Sequence, residues 1–218
     1  RYDSAEANII ETRPGYSLVQ TILAGSKVHG IYVFQKDKLI VHCGTNLYKG
    51  SLNGVTLDLL YTGMNNKESR LYMFGDNLYI NDGINYLVYD GTTIQPVANE
   101  AYVPTTTIGR APSGGGTVYE DVNLLTPTRI NTFSGDGTST DYYLDTTGID
   151  TVDEVKVNGT VMQQGCTVTT ATGKITFDTA PSVPDLIGTD NVEIKFSKAV
   201  PGYATRITNC TVANVFDN

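Results

Sequence analysis

The 218-residue chain has no tryptophan, two histidines and three cysteines, and each scarcity narrows what it can be. Cys43, Cys166 and Cys210 are far apart, odd in number and without a CxxC pair. That argues against a disulfide framework or a zinc knuckle and favours a reducing compartment. Lys and Arg total 15 against 23 Asp and Glu, a net charge of -8, so the clustered cations that displace counterions from nucleic acid are missing. No apolar run approaches the roughly 18 residues that span a bilayer, and the first residues lack a signal peptide's basic then apolar order, so no membrane insertion is expected. Numbering opens on Arg1 and not on Met, which leaves an upstream segment open. Long Ala/Glu/Lys/Leu stretches are absent too, and with them extended helices.

What is plentiful points to strand. The chain holds 14 Tyr and 22 Gly, with Val, Ile and Thr throughout, supplying pleated surface and turns, and its 40% hydrophobic content can fill a core. A repeat is visible: Ile31-Tyr32-Val33-Phe34 overlies Leu71-Tyr72-Met73-Phe74 at an offset of 40, and Asp37-Lys38-Leu39 overlies Asp76-Asn77-Leu78 at 39. One extra residue in the first turn accounts for the slip. The match continues through Gly44-Thr45-Asn46 and Gly83-Ile84-Asn85 into Tyr/Leu-rich strands that run to Gly50 and Gly91, and fourth strands are expected at Val55–Leu60 and Thr93–Val97. Four short strands in about forty residues are the dimensions of a propeller blade. Two blades are too few to close a ring, and Val215-Phe216-Asp217-Asn218 reads as the first strand of a third.

Between Thr126 and Lys198 the repeat gives way to a Thr-, Asp- and Gly-rich region. Strands are expected near Arg129–Phe133, Tyr142–Leu144, Glu154–Val157, Cys166–Thr170, Lys174–Phe177 and Val192–Phe196. Val192-Glu193-Ile194-Lys195-Phe196 alternates as a strand with one buried face does, and Asn158-Gly159 is the residue pair of a type I′ hairpin. The chain therefore reads as all-β: residues 1–125 form propeller-like blades with a connecting arm, 126–198 an inserted small β-sandwich, and 199–218 the return to the propeller and the start of a truncated blade. Tyr102–Glu120 reads as an ordered loop or arm, and Ala199–Tyr203 as a hinge.

Candidate chemistry is sparse. Gly109 to Thr117 has glycines that could bare N–H groups to a phosphate but lacks the Lys-Ser/Thr ending of a P-loop, so a flexible loop is the simpler reading. Asp136 and Asp141 offer oxygen to calcium without an EF-hand's spacing, which makes a hairpin turn the simpler reading. His29 and His42 flank one hairpin near Cys43, the ingredients of a Cys-His nucleophile or a metal site, although satisfied strand residues are commoner. Asn158-Gly-Thr160 and Asn209-Cys-Thr211 match the glycosylation sequon, a frequent chance tripeptide. GxSxG and HExxH are absent, so no catalytic, cofactor-binding or metal-ligating residue is assigned and no enzyme activity is expected.

Arg13-Pro14-Gly15-Tyr16, His29-Gly30-Ile31-Tyr32, the run LIVHCGTNLYKG at 39–50 and YEDVNLLTPTRINTFSGDGTSTDYYLD at 119–145 together resemble tailed-bacteriophage structural proteins. The nearest group is the packaged-DNA stabilisation, or tail nozzle, family of short-tailed phages and prophages. That resemblance implies a non-enzymatic virion protein of the tail or neck, assembled in the bacterial cytoplasm. Its implied partners are portal or adaptor and tail proteins, a homo-oligomeric ring of its own copies, and genomic DNA passing without sequence-specific binding. The alternative is a receptor- or glycan-binding module, since Tyr-rich β-domains display rings that stack on sugars. A propeller glycosidase or lyase is a third reading, which needs Asp37, Asp76, His29 and His42 to converge. The repeat also makes a genetic prediction: the reading frame downstream of Asn218 continues with further repeats of about forty residues. Sequencing that DNA checks it, and an immediate stop codon would refute it.

Overall fold

The computed structural model describes residues 15, 21–53, 56–210 and 212, which form two compact units, Arg1–Glu68 and Ser69–Asn218. In the first unit, β1 (Val28–Phe34), β2 (Lys38–Cys43), β3 (Asn46–Ser51) and β4 (Leu57–Thr62) make an antiparallel meander in that order. In the second, β5 (Arg70–Phe74), β6 (Asn77–Asn81), β7 (Tyr86–Tyr89) and β8 (Ile94–Pro96) repeat the same order. The slip in the repeat lies in the first turn. Phe34 pairs with Lys38 across three residues, whereas Phe74 pairs with Asn77 across two. Gln35 and Lys36 take positive φ in the longer turn, and Gly75, at φ 57°, begins the shorter one. The fourth strands begin and end within two residues of their expected limits at all four ends.

The described residues form neither a closed barrel nor a closed propeller, and the fold is all-β. The expected third blade at Val215–Asn218 lies outside the described residues, as do most of Arg13–Tyr16. Where the chain returns, Tyr203–Thr208 forms a short helix, α1, and the Asn81 side chain of β6 donates to the Ile207 carbonyl at 2.9 Å.

The sandwich packs a six-stranded sheet on a three-stranded one. The larger holds β9 (Thr105–Arg110), β10 (Thr117–Val118), β11 (Thr128–Phe133), β13 (Thr151–Val157), β14 (Thr160–Val161) and β17 (Val192–Ser197), ordered β10-β9-β11-β17-β13-β14. The smaller holds β12 (Asp141–Tyr143), β15 (Cys166–Thr169) and β16 (Lys174–Phe177), ordered β12-β16-β15. All six expected strands are present, and Asn158 and Gly159, both at positive φ, close the β13–β14 hairpin. The larger sheet reaches beyond the expected span: Thr105–Arg110 and Thr117–Val118, read from sequence as an arm, supply its strands β9 and β10. β9 runs parallel to β11, and a parallel neighbour leaves no short turn signal in the sequence.

Alternation decides which side chains meet between the sheets. Val192, Ile194 and Phe196 of β17 point inward, with Glu193 and Lys195 outward. Tyr142 stands edge-on between Phe133 and Phe177, with ring centroids at 5.3 and 5.0 Å, the favoured arrangement of aromatic quadrupoles. Its hydroxyl is buried without a hydrogen-bond partner among the described residues, and burial, with Asp136 adding to it, pushes the phenol up to about 12. Tyr142→Phe should therefore leave stability unchanged or raise it by about 1 kcal/mol, whereas Ile175→Ala, at the centre of the same core, should cost roughly 2–5 kcal/mol. The native state holds the Tyr142 proton more tightly than the unfolded chain does. Its contribution is thus complete below pH 10 and is lost as pH rises to about 12. Urea titrations of both variants, repeated across the alkaline range, check these outcomes, and Tyr142→Phe should lose part of the alkaline sensitivity.

Candidate functional site

The two histidines do meet. His42 pairs with Gly30 and Cys43 with Val28, so His29 is the extra residue of a bulge, which turns its ring towards the neighbouring strand. The His29 and His42 ring centroids lie 5.0 Å apart. His42 is fully buried and its Nε2 donates to the Gly44 carbonyl at 3.0 Å, while His29 Nε2 lies 2.7 Å from Asn66 Oδ1. Both contacts hold the β2–β3 turn and the chain after β4 against the sheet. Asp37 lies in the β1–β2 turn at the other end of these strands and does not join the histidine pair, and Asp76 occupies the corresponding turn of the second meander.

Gly109 to Thr117 is a hairpin and not a flexible loop. Ala111 bridges Gly114, and Gly116, at φ 98°, folds the turn over Arg110; a Cβ there would lie 2.4 Å from Arg110 Cγ. The Gly109 N–H that could have faced a phosphate donates to Asp190 at 2.7 Å. Asp136 is held by its own loop. It accepts from the N–H groups of Thr138 and Ser139 and from the Ser139 hydroxyl, and the Ser139 side chain foremost holds it well below the usual carboxylate range. Asp141 instead accepts from Thr176 at 2.7 Å and Lys174 at 3.2 Å. The loop between them crosses from the larger sheet to the smaller, so it is not the hairpin that its composition suggests. Of the sequon residues, Asn158 lies in the β13–β14 turn, where its Oδ1 accepts from Asn191, and Asn209 caps α1.

Two further features are not evident from the sequence alone. On one face of the second meander, Tyr72, Tyr79 and Tyr86 form a half-buried row: Tyr72 and Tyr79 stack at 5.4 Å, Tyr79 and Tyr86 lie 6.1 Å apart, and the Tyr72 and Tyr86 hydroxyls hydrogen-bond. Burial, with the Tyr72 contact, raises the Tyr86 phenol above its ordinary value.

The other is a polar end to the sandwich core. Along β11 the inward positions are Arg129, Asn131 and Phe133. Asn131, fully buried, donates to the Thr106 hydroxyl and accepts from the Asp145 N–H, each at 2.9 Å, and Thr106 donates on to the Asp145 carboxylate at 2.9 Å. Arg110 reaches the Tyr143 and Leu144 carbonyls, and Arg129 approaches Asp145 at 3.9 Å. A cleft of about 710 Å³ opens beside this network, its wall including Arg110, Arg129, Asp145, Glu120 and Asp121. Arg129-Ile130-Asn131-Thr132-Phe133 hides the network, because its aliphatic Ile130 marks the outward and not the inward phase.

Comparison with protein-family models, with curated proteins and with solved structures found no match to this chain. The geometry alone says what the polar end does for the fold. Asn131→Leu would strand the Thr106 hydroxyl acceptor and the Asp145 N–H, and should cost roughly 2–4 kcal/mol in thermal or urea unfolding. Thr132→Val, one position along on the outward face, should cost less.

Proposed function

We propose that the chain is a non-enzymatic structural component of a tailed-phage virion, part of a tail or neck ring that helps to retain and channel the genome. One observation carries this reading: the chain repeats a four-stranded meander whose first strand leaves aliphatic side chains in water. Ile31 and Val33 are 63% and 54% exposed, and at the corresponding positions of the second copy Leu71 is half-buried and Met73 exposed. Blades of this kind cover such faces by stacking on further blades, either of the same chain or of a neighbouring subunit. The resemblance of the sequence to tail nozzle proteins supports the same reading. On it, the net charge of -8 acts as a wall that repels DNA phosphates at short range, so that a duplex slides without sticking.

A second reading, a receptor- or glycan-binding module, draws on the Tyr72, Tyr79 and Tyr86 row, whose rings share one sheet face. A glycan array followed by mixing with purified portal rings separates the two. On the first reading the chain associates with the portal, or with its own copies; on the second it does neither, and Tyr79→Ala removes the binding that the array reveals. Ile31→Thr with Val33→Thr should abolish that association while changing stability by less than about 1 kcal/mol, because both side chains are exposed and threonine suits a strand. A chain that stays monomeric and ignores portal rings at every concentration would sink the proposal.

A further inference from the structure

The cleft at the polar end of the sandwich shares no residue with the exposed strands on which the virion reading rests. Arg110 and Arg129 are each more than nine-tenths buried, and each guanidinium lies over a core ring, Arg110 over Phe133 at 5.7 Å and Arg129 over Phe196 at 5.3 Å. Their hydrogen bonds are few. Among the described residues Arg110 has only the two carbonyls on Nη2, at 3.3 and 3.4 Å, and Arg129 has none, only the Asp145 carboxylate 3.9 Å from Nε. Nε of both, and the Thr107 hydroxyl beside them, are buried without a partner. A guanidinium has five N–H donors, so most of the donor capacity here meets no acceptor from the protein.

Such an arrangement is costly for the protein by itself. Buried cations need partners, and the nearest carboxylate, Asp145, approaches only Arg129, at 3.9 Å, while already accepting from Thr106. Burial holds the Arg110 guanidinium below its ordinary pKa, against the pull of Asp145. The Nε atoms are closed to solvent, so a ligand's acceptors would meet the Nη groups that have no protein acceptor. The rest of the wall narrows its chemistry. Glu120 and Asp121 also line the cleft and would repel a multiply charged phosphate; Glu120 already accepts from the Tyr102 hydroxyl and the Thr105 N–H, and the exposed Asp121 carboxylate can accept hydrogen bonds from hydroxyls. The cleft's volume lies in the range of small-molecule sites.

We infer that this cleft binds an acidic saccharide, with the sugar carboxylate on Arg110 and Arg129 and a hydroxyl on Asp121 at the rim. Singly charged at one end and hydroxylated at the other, such a ligand fits both halves of the lining. The planar fork of arginine suits a carboxylate in a way that lysine does not.

The test is a titration of the 218-residue chain followed by ¹H–¹⁵N NMR of the arginine Nε–H groups, with the two signals assigned by Arg110→Lys and Arg129→Lys. The probes are D-glucuronate, methyl glucoside and sulfate at constant ionic strength. Glucuronate should shift both signals saturably, with a Kd on the order of 1 mM for a single sugar, and methyl glucoside and sulfate should not. Asp121→Ala, an exposed rim change, should weaken glucuronate by roughly threefold to tenfold while leaving unfolding unchanged. Since the shifts are read on the unmodified chain, a lysine variant that fails to fold does not spoil the result, and the assignment then rests on the other. Absence of a saturable shift would overturn the site. Equal shifts with sulfate would reduce it to an adventitious ion only and overturn the saccharide. Neither result bears on association with portal rings.

Discussion

The sandwich depends on one constraint, that every second residue of β11 and β17 must face the other sheet. On β17 the constraint is met entirely with apolar groups, Val192, Ile194 and Phe196, and on β11 only Phe133 is apolar. The other inward places of β11 belong to Asn131 and Arg129, and a polar group there is tolerable only if it finds partners. Asn131 finds them in Thr106 and Asp145, and in doing so ties β9, β11 and the chain after β12 together. Register, and with it the placement of the aromatic core around Tyr142, follows from that tie, because a slip of one residue would turn Phe133 out to water.

Local signals carried most of the fold. The blade repeat could be read because turn length and strand phase are set by neighbouring residues, and the extra residue between Phe34 and Lys38 appears in the sequence as a change of offset. Asn158-Gly159 declared its hairpin for the same reason: few residues other than Asn and Gly accept two successive positive φ values. What escaped is non-local. β9 joins β11 in parallel across an intervening hairpin, and nothing near Thr105–Arg110 announces a partner.

The candidate site was hidden more deeply, because its residues run against the usual association of aliphatic with inside. In Arg129-Ile130-Asn131-Thr132-Phe133, Ile130 is the misleading residue, and the buried arginines take the positions that a pattern of alternation assigns to water. His29 shows the same limit in another form. Its approach to His42 depends on a bulge, which adds one residue to one strand and leaves no mark in composition.

The pairing of Thr128 with Ser197, joined through their hydroxyls at 3.0 Å, and of Ile130 with Thr105, places the first strand to enter the sandwich and the last to leave it at the same end of one sheet. Tension applied between these two ends would be carried across this base of the sheet and would open it bond by bond from there, leaving the aromatic layer around Tyr142 unloaded until the base gives way.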